Sequence, residues 1–378
     1  MALNPARAHR PRAGFTLIEL LASTALFAVL GAMLFQMVTG AMELWTRGER
    51  VRELEDRASA VLDLLSEDLV HLWCGAPGAG EQQARFLLEW RDDSEALSPL
   101  LGRRSAVLRF TRLLHEARST GWLRRAGERP AAQSVATLVR SQDPALLLPT
   151  EGLAESLYAT VVLPGDGLPS LVRRVRTPVG GTGSLLRPEL LAQEDRLLEQ
   201  ATTLADRVLH LGLLAWGPAT TVWSDAGGQT GVPALDSWDS TRGLVPPQDE
   251  RFPYGVGPES LLDGRDDIFP PALMIELVLD PYTDAGRAPN ALAEPVGVAA
   301  TTLQLRRAGL GGDQRAPEHV WVDGEWMAVR SLDGRTAVVE RGARGSTAVP
   351  HEAGASVRVG VSFRRVVRIP AARQGLGP

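Results

Sequence analysis

The chain has 378 residues, 22% of them charged, with a formal net charge of −5 and a pI near 5.8. So even a balance excludes the strongly basic surface that non-specific nucleic-acid binding needs, and no nucleic-acid partner is expected. A single cysteine, Cys74, excludes an intramolecular disulfide and a multi-cysteine zinc site.

Residues 1–14 are short, polar and basic, with Arg7, Arg10 and Arg12 and no acid. From Phe15 to Phe35 the chain is apolar, with Glu19 as its one charge. A helix of that length spans roughly 30 Å, enough to cross a bilayer core. The basic flank keeps residues 1–14 cytoplasmic and sends the rest of the chain outward. A secretory signal would be cut after its apolar region. Here the small residue, Gly14, precedes that region, so cleavage there would leave the apolar helix on the mature chain.

An acid inside lipid costs about 2.5–3.5 kcal/mol on insertion scales, so Glu19 either snorkels to the membrane edge or pairs with a cation. Beyond the apolar run, Leu44, Val51, Leu54, Ala58, Val61, Leu62, Leu65, Leu69 and Leu72 recur at three- and four-residue spacing among charged residues. That pattern predicts one apolar stripe on a continuing helix, packed against a β-sheet. Proline is absent from residues 15–76, and Gly75–Gly80 closes the helix as a linker.

The run Gly14-Phe15-Thr16-Leu17-Ile18-Glu19-Leu20-Leu21 resembles the signature of the type IV pilin and pseudopilin family. The resemblance implies that a prepilin peptidase cuts between Gly14 and Phe15 and that Phe15 becomes N-methylated. It also implies that Glu19 serves assembly, pairing with the Phe15 amine of a neighbouring subunit. Such a head-to-tail contact builds open helical filaments. The absence of a helix-interrupting proline departs from major pilins and points to a minor subunit.

Downstream, Arg85–Trp90, Ala106–Phe110, Ser156–Leu163, Ser170–Arg176 and Val208–Trp216 read as strands. The third and fourth, joined by Pro-Gly-Asp-Gly-Leu-Pro, read as a hairpin. Residues 185–207 look helical in part, from the spacing of Leu191, Leu197, Leu198 and Leu204. Residues 217–270 read as a decorated loop region. Strands with a proline at entry (Pro271–Asp280) and at exit (Val361–Pro370) read as partners. Their order resembles the C-terminal hairpin of the type II secretion minor pseudopilin J, and the type IV pilus minor pilin W shares much of it. Asp68-Leu69 matches the acid-leucine pair that often ends the helix in the J group.

Between those strands, residues 296–360 alternate in period two with Asp-Gly turns, and predict a small β-module similar to one seen in virion and tail proteins. Trp321 and Trp326, five apart, would face opposite sides of one strand. The predicted fold is therefore α+β: a long N-terminal helix, half membrane and half amphipathic, on an antiparallel sheet domain carrying an inserted all-β module. The expected boundaries are a leader over 1–14, a membrane helix over 15–38 and an amphipathic helix over 39–74. A globular β-rich domain follows over 75–290, the insert over 291–360, and the last strand with its tail over 361–378.

No catalytic motif emerges. His351-Glu352 lacks the second histidine of a zincin, and Asp263, Asp266 and Asp267 lack full calcium-ligand spacing. Neither an enzyme activity nor a cofactor is expected. The family role implies as partners the prepilin peptidase, the membrane, the major pseudopilin and the I and K types of minor pseudopilin. A type IV pilus minor pilin and a membrane-anchored binding module are the alternatives.

Overall fold

The computed structural model describes residues 17–73, 86–92, 103–113, 153–163, 167–177, 179–180, 183–187, 200–217, 220–223, 231–240, 269–281, 289–310 and 317–369. The leader with Gly14 and Phe15, Cys74 and its linker, Leu191, Leu197, Leu198, the 263–267 aspartates and the tail lie outside them. The chain divides into two compact units, Met1–Glu55 and Asp56–Pro378. A single helix, α1 (Leu17–Val70), is the described structure of the first and continues into the second.

With 54 residues and no proline, α1 is about 80 Å long at 1.5 Å per residue. The hydroxyls of Ser23, Thr24 and Thr39 donate to carbonyls three or four residues earlier, at 2.9–3.0 Å. Their polarity is thereby satisfied within the helix, as a segment surrounded by hydrocarbon requires.

The body of the second unit is built from β1 (Phe86–Asp92), β2 (Arg104–Leu113), β3 (Leu153–Val162), β4 (Pro169–Arg176), β5 (Thr202–Ala205), β6 (Val208–Ala215), β7 (Trp238–Asp239) and β8 (Ala272–Leu279). Six of them form an antiparallel sheet in the order β5-β4-β3-β2-β1-β7. In β2 and β3 the eight residues between the strand ends are all buried, because both faces are covered. One face holds Phe86, Phe110 and Tyr158 in a row, with ring centroids 6.4 and 6.2 Å apart. The other packs Val107, Leu157, Ala159, Val161 and Val172 beneath Leu185. The segment carrying Leu185 is held by Glu155, whose carboxylate accepts from the Gly180 and Leu185 amides, both at 2.6 Å, and the Ser184 hydroxyl at 2.7 Å.

The helical reading of 185–207 does not hold where the chain is described. Leu204 lies in β5, and Leu185 lies in the turn that covers the sheet.

The insert supplies β9 (Asn290–Ala291), β10 (Thr302–Gln304), β11 (His319–Val322), β12 (Glu325–Asp333), β13 (Thr336–Ala343) and β14 (Ser356–Arg358). Their order is β10-β13-β12-β11-β14-β9. The two ends of that order meet through the Leu292–Leu305 bridge and the bonds Ala293 N–H to Gln304 and Arg306 N–H to Ala291, 2.7 and 2.9 Å. The sheet thus closes into a small barrel. Leu292, Leu303, Leu305, Val320, Val322, Met327, Ala337, Val339 and Val357 are buried in its core.

Asp323 and Gly324, at φ 50° and 128°, form the two-residue turn between β11 and β12. Trp321 and Trp326 therefore belong to different strands and are direct cross-strand partners. They face the same side, contrary to the one-strand expectation.

Finally β15 (Val361–Arg368) pairs antiparallel with β8 along its whole length, from Val361↔Leu279 to Arg368↔Ala272. Together with β6 they form a three-stranded sheet, β15-β8-β6. Through β6 this sheet meets β2, β3 and β4.

Candidate functional site: an exposed helix and its anchorage

Glu19 lies in the first turn of α1 as described, and its side chain is exposed. Around it Leu17, Ile18, Leu20 and Leu21 are exposed too, as are Phe27, Met33, Leu34 and Phe35 farther on. Large apolar side chains left in water on this scale mark a surface built for lipid or for other helices. Leu44 and Val51, the start of the expected stripe, also remain exposed.

Burial of the stripe begins at Ala58 and continues through Val61, Leu62, Leu65, Leu69 and Leu72. On the same face Asp68 is fully buried. Its carboxylate accepts from the Tyr158 hydroxyl at 2.5 Å and from Arg173 Nε and Nη2 at 2.9 and 2.6 Å. Arg112 Nη1 stands 3.0 Å from its other oxygen. Three adjacent strands, β2, β3 and β4, thus converge on one helix carboxylate. Burial, and then the Asp68 charge, push the Tyr158 phenol well above its usual range, so it stays a donor.

Farther along, Arg57 pairs with Asp206 at 2.6 Å, and Arg365 of β15 pairs with Asp63. The last turn tightens through Leu72 N–H to Leu69. The chain then bonds to β2, with Trp73 N–H to Thr111 and Leu113 N–H to His71, 2.9 and 2.8 Å. The end of the helix is thereby fixed to the sheet by apolar packing, ion pairs and backbone bonds together.

The barrel is fixed to the body in the same manner. Trp321 and Trp326 pack with Leu209 and Val278. Arg344 donates to Glu276 of β8 at 3.1 Å while its guanidinium lies 4.6 Å from the Trp326 ring centroid. Asp280 accepts from Arg207 of the body and Arg358 of β14, at 2.7 and 2.6 Å. His210 lies between the Trp90 and Trp326 rings, with centroids 6.5 and 6.0 Å away. Burial, and next the Arg344 charge, push it down to about 3, so it is neutral.

Among the described residues no group of three or more His, Cys, Asp or Glu could hold a metal ion.

Comparison with known proteins adds one decisive observation. Residues 9–35 match the prokaryotic N-terminal methylation motif. The chain carries a prepilin-type methylation motif. Such a motif supports the type IV pilin-like class and implies prepilin peptidase processing and pilin-like assembly. The apolar length of α1 fits a single-pass membrane anchor. No curated protein and no solved structure matches the chain.

The Gly14–Phe15 bond falls inside the matched span but outside the described residues. The Asp68 clamp was not anticipated: in the sequence Asp68 figured only as half of the Asp68-Leu69 pair. Asp68 stands three residues after Leu65 and four before Leu72, on the apolar stripe itself, and an acid there requires buried cations.

Proposed function

We propose that the protein is a structural minor pseudopilin of a type II secretion system, incorporated at or near the tip of a short periplasmic filament and helping to initiate it. The observation that carries this reading is the methylation motif at 9–35, leading into an exposed apolar helix whose far end is clamped to a β-rich body. In this reading Phe15 is the methylated N-terminus, and Glu19 pairs with the Phe15 amine of a neighbouring subunit. The helix anchors the chain in the inner membrane, with the β-domain in the periplasm. The I- and K-type minor pseudopilins and the major pseudopilin are its partners. It turns over no substrate, and a separate cytoplasmic motor supplies the energy.

The J-type assignment draws its support from β8 and β15. Both strands have a proline at the outer boundary, and they pair in full register although 81 residues lie between Leu279 and Val361. The same helix and strands suit a type IV pilus minor pilin. The two are separated by the medium proteome and surface fibres of a deletion strain. Loss of many secreted proteins with fibres intact is the expected result; loss of fibres with normal secretion moves the protein to the pilus. In the complemented strain, Glu19→Ala is expected to be processed normally yet fail to enter the filament, and normal incorporation would overturn its assembly role.

A further inference from the structure

His351 sits in the barrel between two carboxylates. Its Nε2 lies 2.9 Å from Glu325 Oε2, and its Nδ1 lies 3.3 Å from Asp323 Oδ2. The ring is buried, as is Glu325, whereas Asp323 is 43% exposed. A neutral imidazole has one N–H and cannot donate to both acids; the imidazolium can.

The charged groups facing His351 are Asp323 from the β11–β12 turn, Glu325 from β12 and, behind Glu325, Arg341 from β13. Arg341 Nε and Nη2 hold the two Glu325 oxygens at 2.7 Å each. The Gly342 and Val349 amides donate to the same carboxylate at 3.1 Å. From the segment before β10, the Val296 backbone exchanges two hydrogen bonds with the His351 backbone, at 2.8 and 2.9 Å. Glu325 is therefore held in place whichever form His351 takes. Asp323 is not: its bond is the longer, and the carboxylate is open to water.

We propose that His351 is a proton-operated latch on the β11–β12 turn. Protonated, it ties Asp323 to the barrel core. On losing a proton it keeps Nε2–H on Glu325 and turns the Nδ1 lone pair toward the Asp323 carboxylate, so the turn is released. That turn joins Trp321 to Trp326, the two rings that seat the barrel on Leu209 and Val278. The latch thus makes the firmness of barrel seating depend on the pH of the compartment the barrel occupies.

Burial alone would lower the His351 pKa. The hydrogen bonds and charges of Asp323 and Glu325 outweigh it, and the pKa is raised above its usual 6.5. A raised pKa means the native state holds the proton more tightly than the unfolded chain. The stabilisation is complete below about 6.5 and is lost as pH rises through the folded value. His210, buried and neutral, has the opposite sign and loses stabilisation as pH falls.

The test is hydrogen exchange read by mass spectrometry on the detergent-solubilised full chain, stepped from pH 6 to pH 9 and corrected for intrinsic exchange. Peptides covering 317–330 are expected to lose protection as pH rises, while peptides of β2 and β3 hold theirs. Asp323→Asn lets a neutral imidazole accept from the amide at Nδ1, so its turn is expected to be insensitive to pH. His351→Gln is expected to be insensitive too. Equal protection of 317–330 across the range, or an undiminished pH response in Asp323→Asn, would overturn the latch.

Discussion

Asp68 shows how one buried side chain fixes the end of a helix to the sheet beneath it. Its Oδ2 takes charge-assisted bonds from Tyr158 of β3 and Arg173 of β4, and its Oδ1 lies 3.0 Å from Arg112 of β2. Removing the acid leaves two arginines in low dielectric without it. Asp68→Ala is therefore expected to lower stability by about 3–5 kcal/mol, the cost of breaking a buried pair from one side. Tyr158→Phe removes one bond to a charged group and is expected to cost about 1.5–3 kcal/mol. Urea titrations of the solubilised chain measure both, and a Tyr158→Phe effect equal to that of Asp68→Ala would mean that the phenol, not the arginines, carries the clamp. None of this was legible locally, because Tyr158 and Arg173 stand 90 and 105 residues from Asp68. What residue spacing does show is an acid on the apolar side of a helix.

Among the elements, those bounded by turn chemistry were readable and those defined by their neighbours were not. The β3–β4 hairpin follows from the Gly- and Pro-rich link between its strands, and the β8–β15 pairing from prolines at matching ends. By contrast, β5 was hidden because Leu204 happens to continue a helical spacing begun at Leu191. At β11–β12 the Asp323-Gly324 turn was in view, but taking Trp321 and Trp326 along one strand across it put them on opposite sides, whereas the turn makes them direct partners. β2 and β3 were readable as the apolar runs Ala106–Phe110 and Ser156–Leu163, although burial on both faces erases the alternation that marks a half-exposed strand.

The link between barrel and body offers a test at this scale. A Cβ placed on Gly360 would stand 2.2 Å from Val278 Cγ1 and 3.3 Å from Leu209 Cδ1. Both residues belong to the seat of Trp321 and Trp326. Gly360→Ala is expected to cost about 1–3 kcal/mol through overpacking, whereas at Gly297 a Cβ meets nothing within 4 Å. Thermal melts of the two variants should separate them clearly; equal melting temperatures would mean that the seam yields without strain.

At the scale of the whole molecule, ion pairs join parts that apolar contact alone would leave free to slide. Burial pushes the Glu276 and Glu325 carboxyls up. For Glu276, Arg344, the Ser362 hydrogen bond and nearby positive charge outweigh it; for Glu325, the Arg341 and His351 bonds do. Both are held at about 2 against an ordinary 4.5. With folded values depressed, their stabilisation is present above about pH 4.5 and is lost as pH falls toward 2. His210 adds to this loss from about pH 6.5 down to 3. Acid titration followed by tryptophan fluorescence is expected to show the barrel seat loosening through this range, and Glu276→Gln should flatten the part below pH 4.5. An unchanged profile in that variant would assign the acid loss to other groups.

The barrel enters and leaves the body on adjacent strands, since β9 pairs with β14 through Ala291↔Ser356 and Asn290↔Val357. To the host sheet the whole insertion is no wider than the loop of a hairpin, and among the described residues the two edge strands of the module are joined to each other through the Leu292–Leu305 bridge. A cassette with its two ends side by side can be exchanged for another of unlike size while β8 and β15 still meet in the same register. The scaffold and the head it carries can therefore diverge independently.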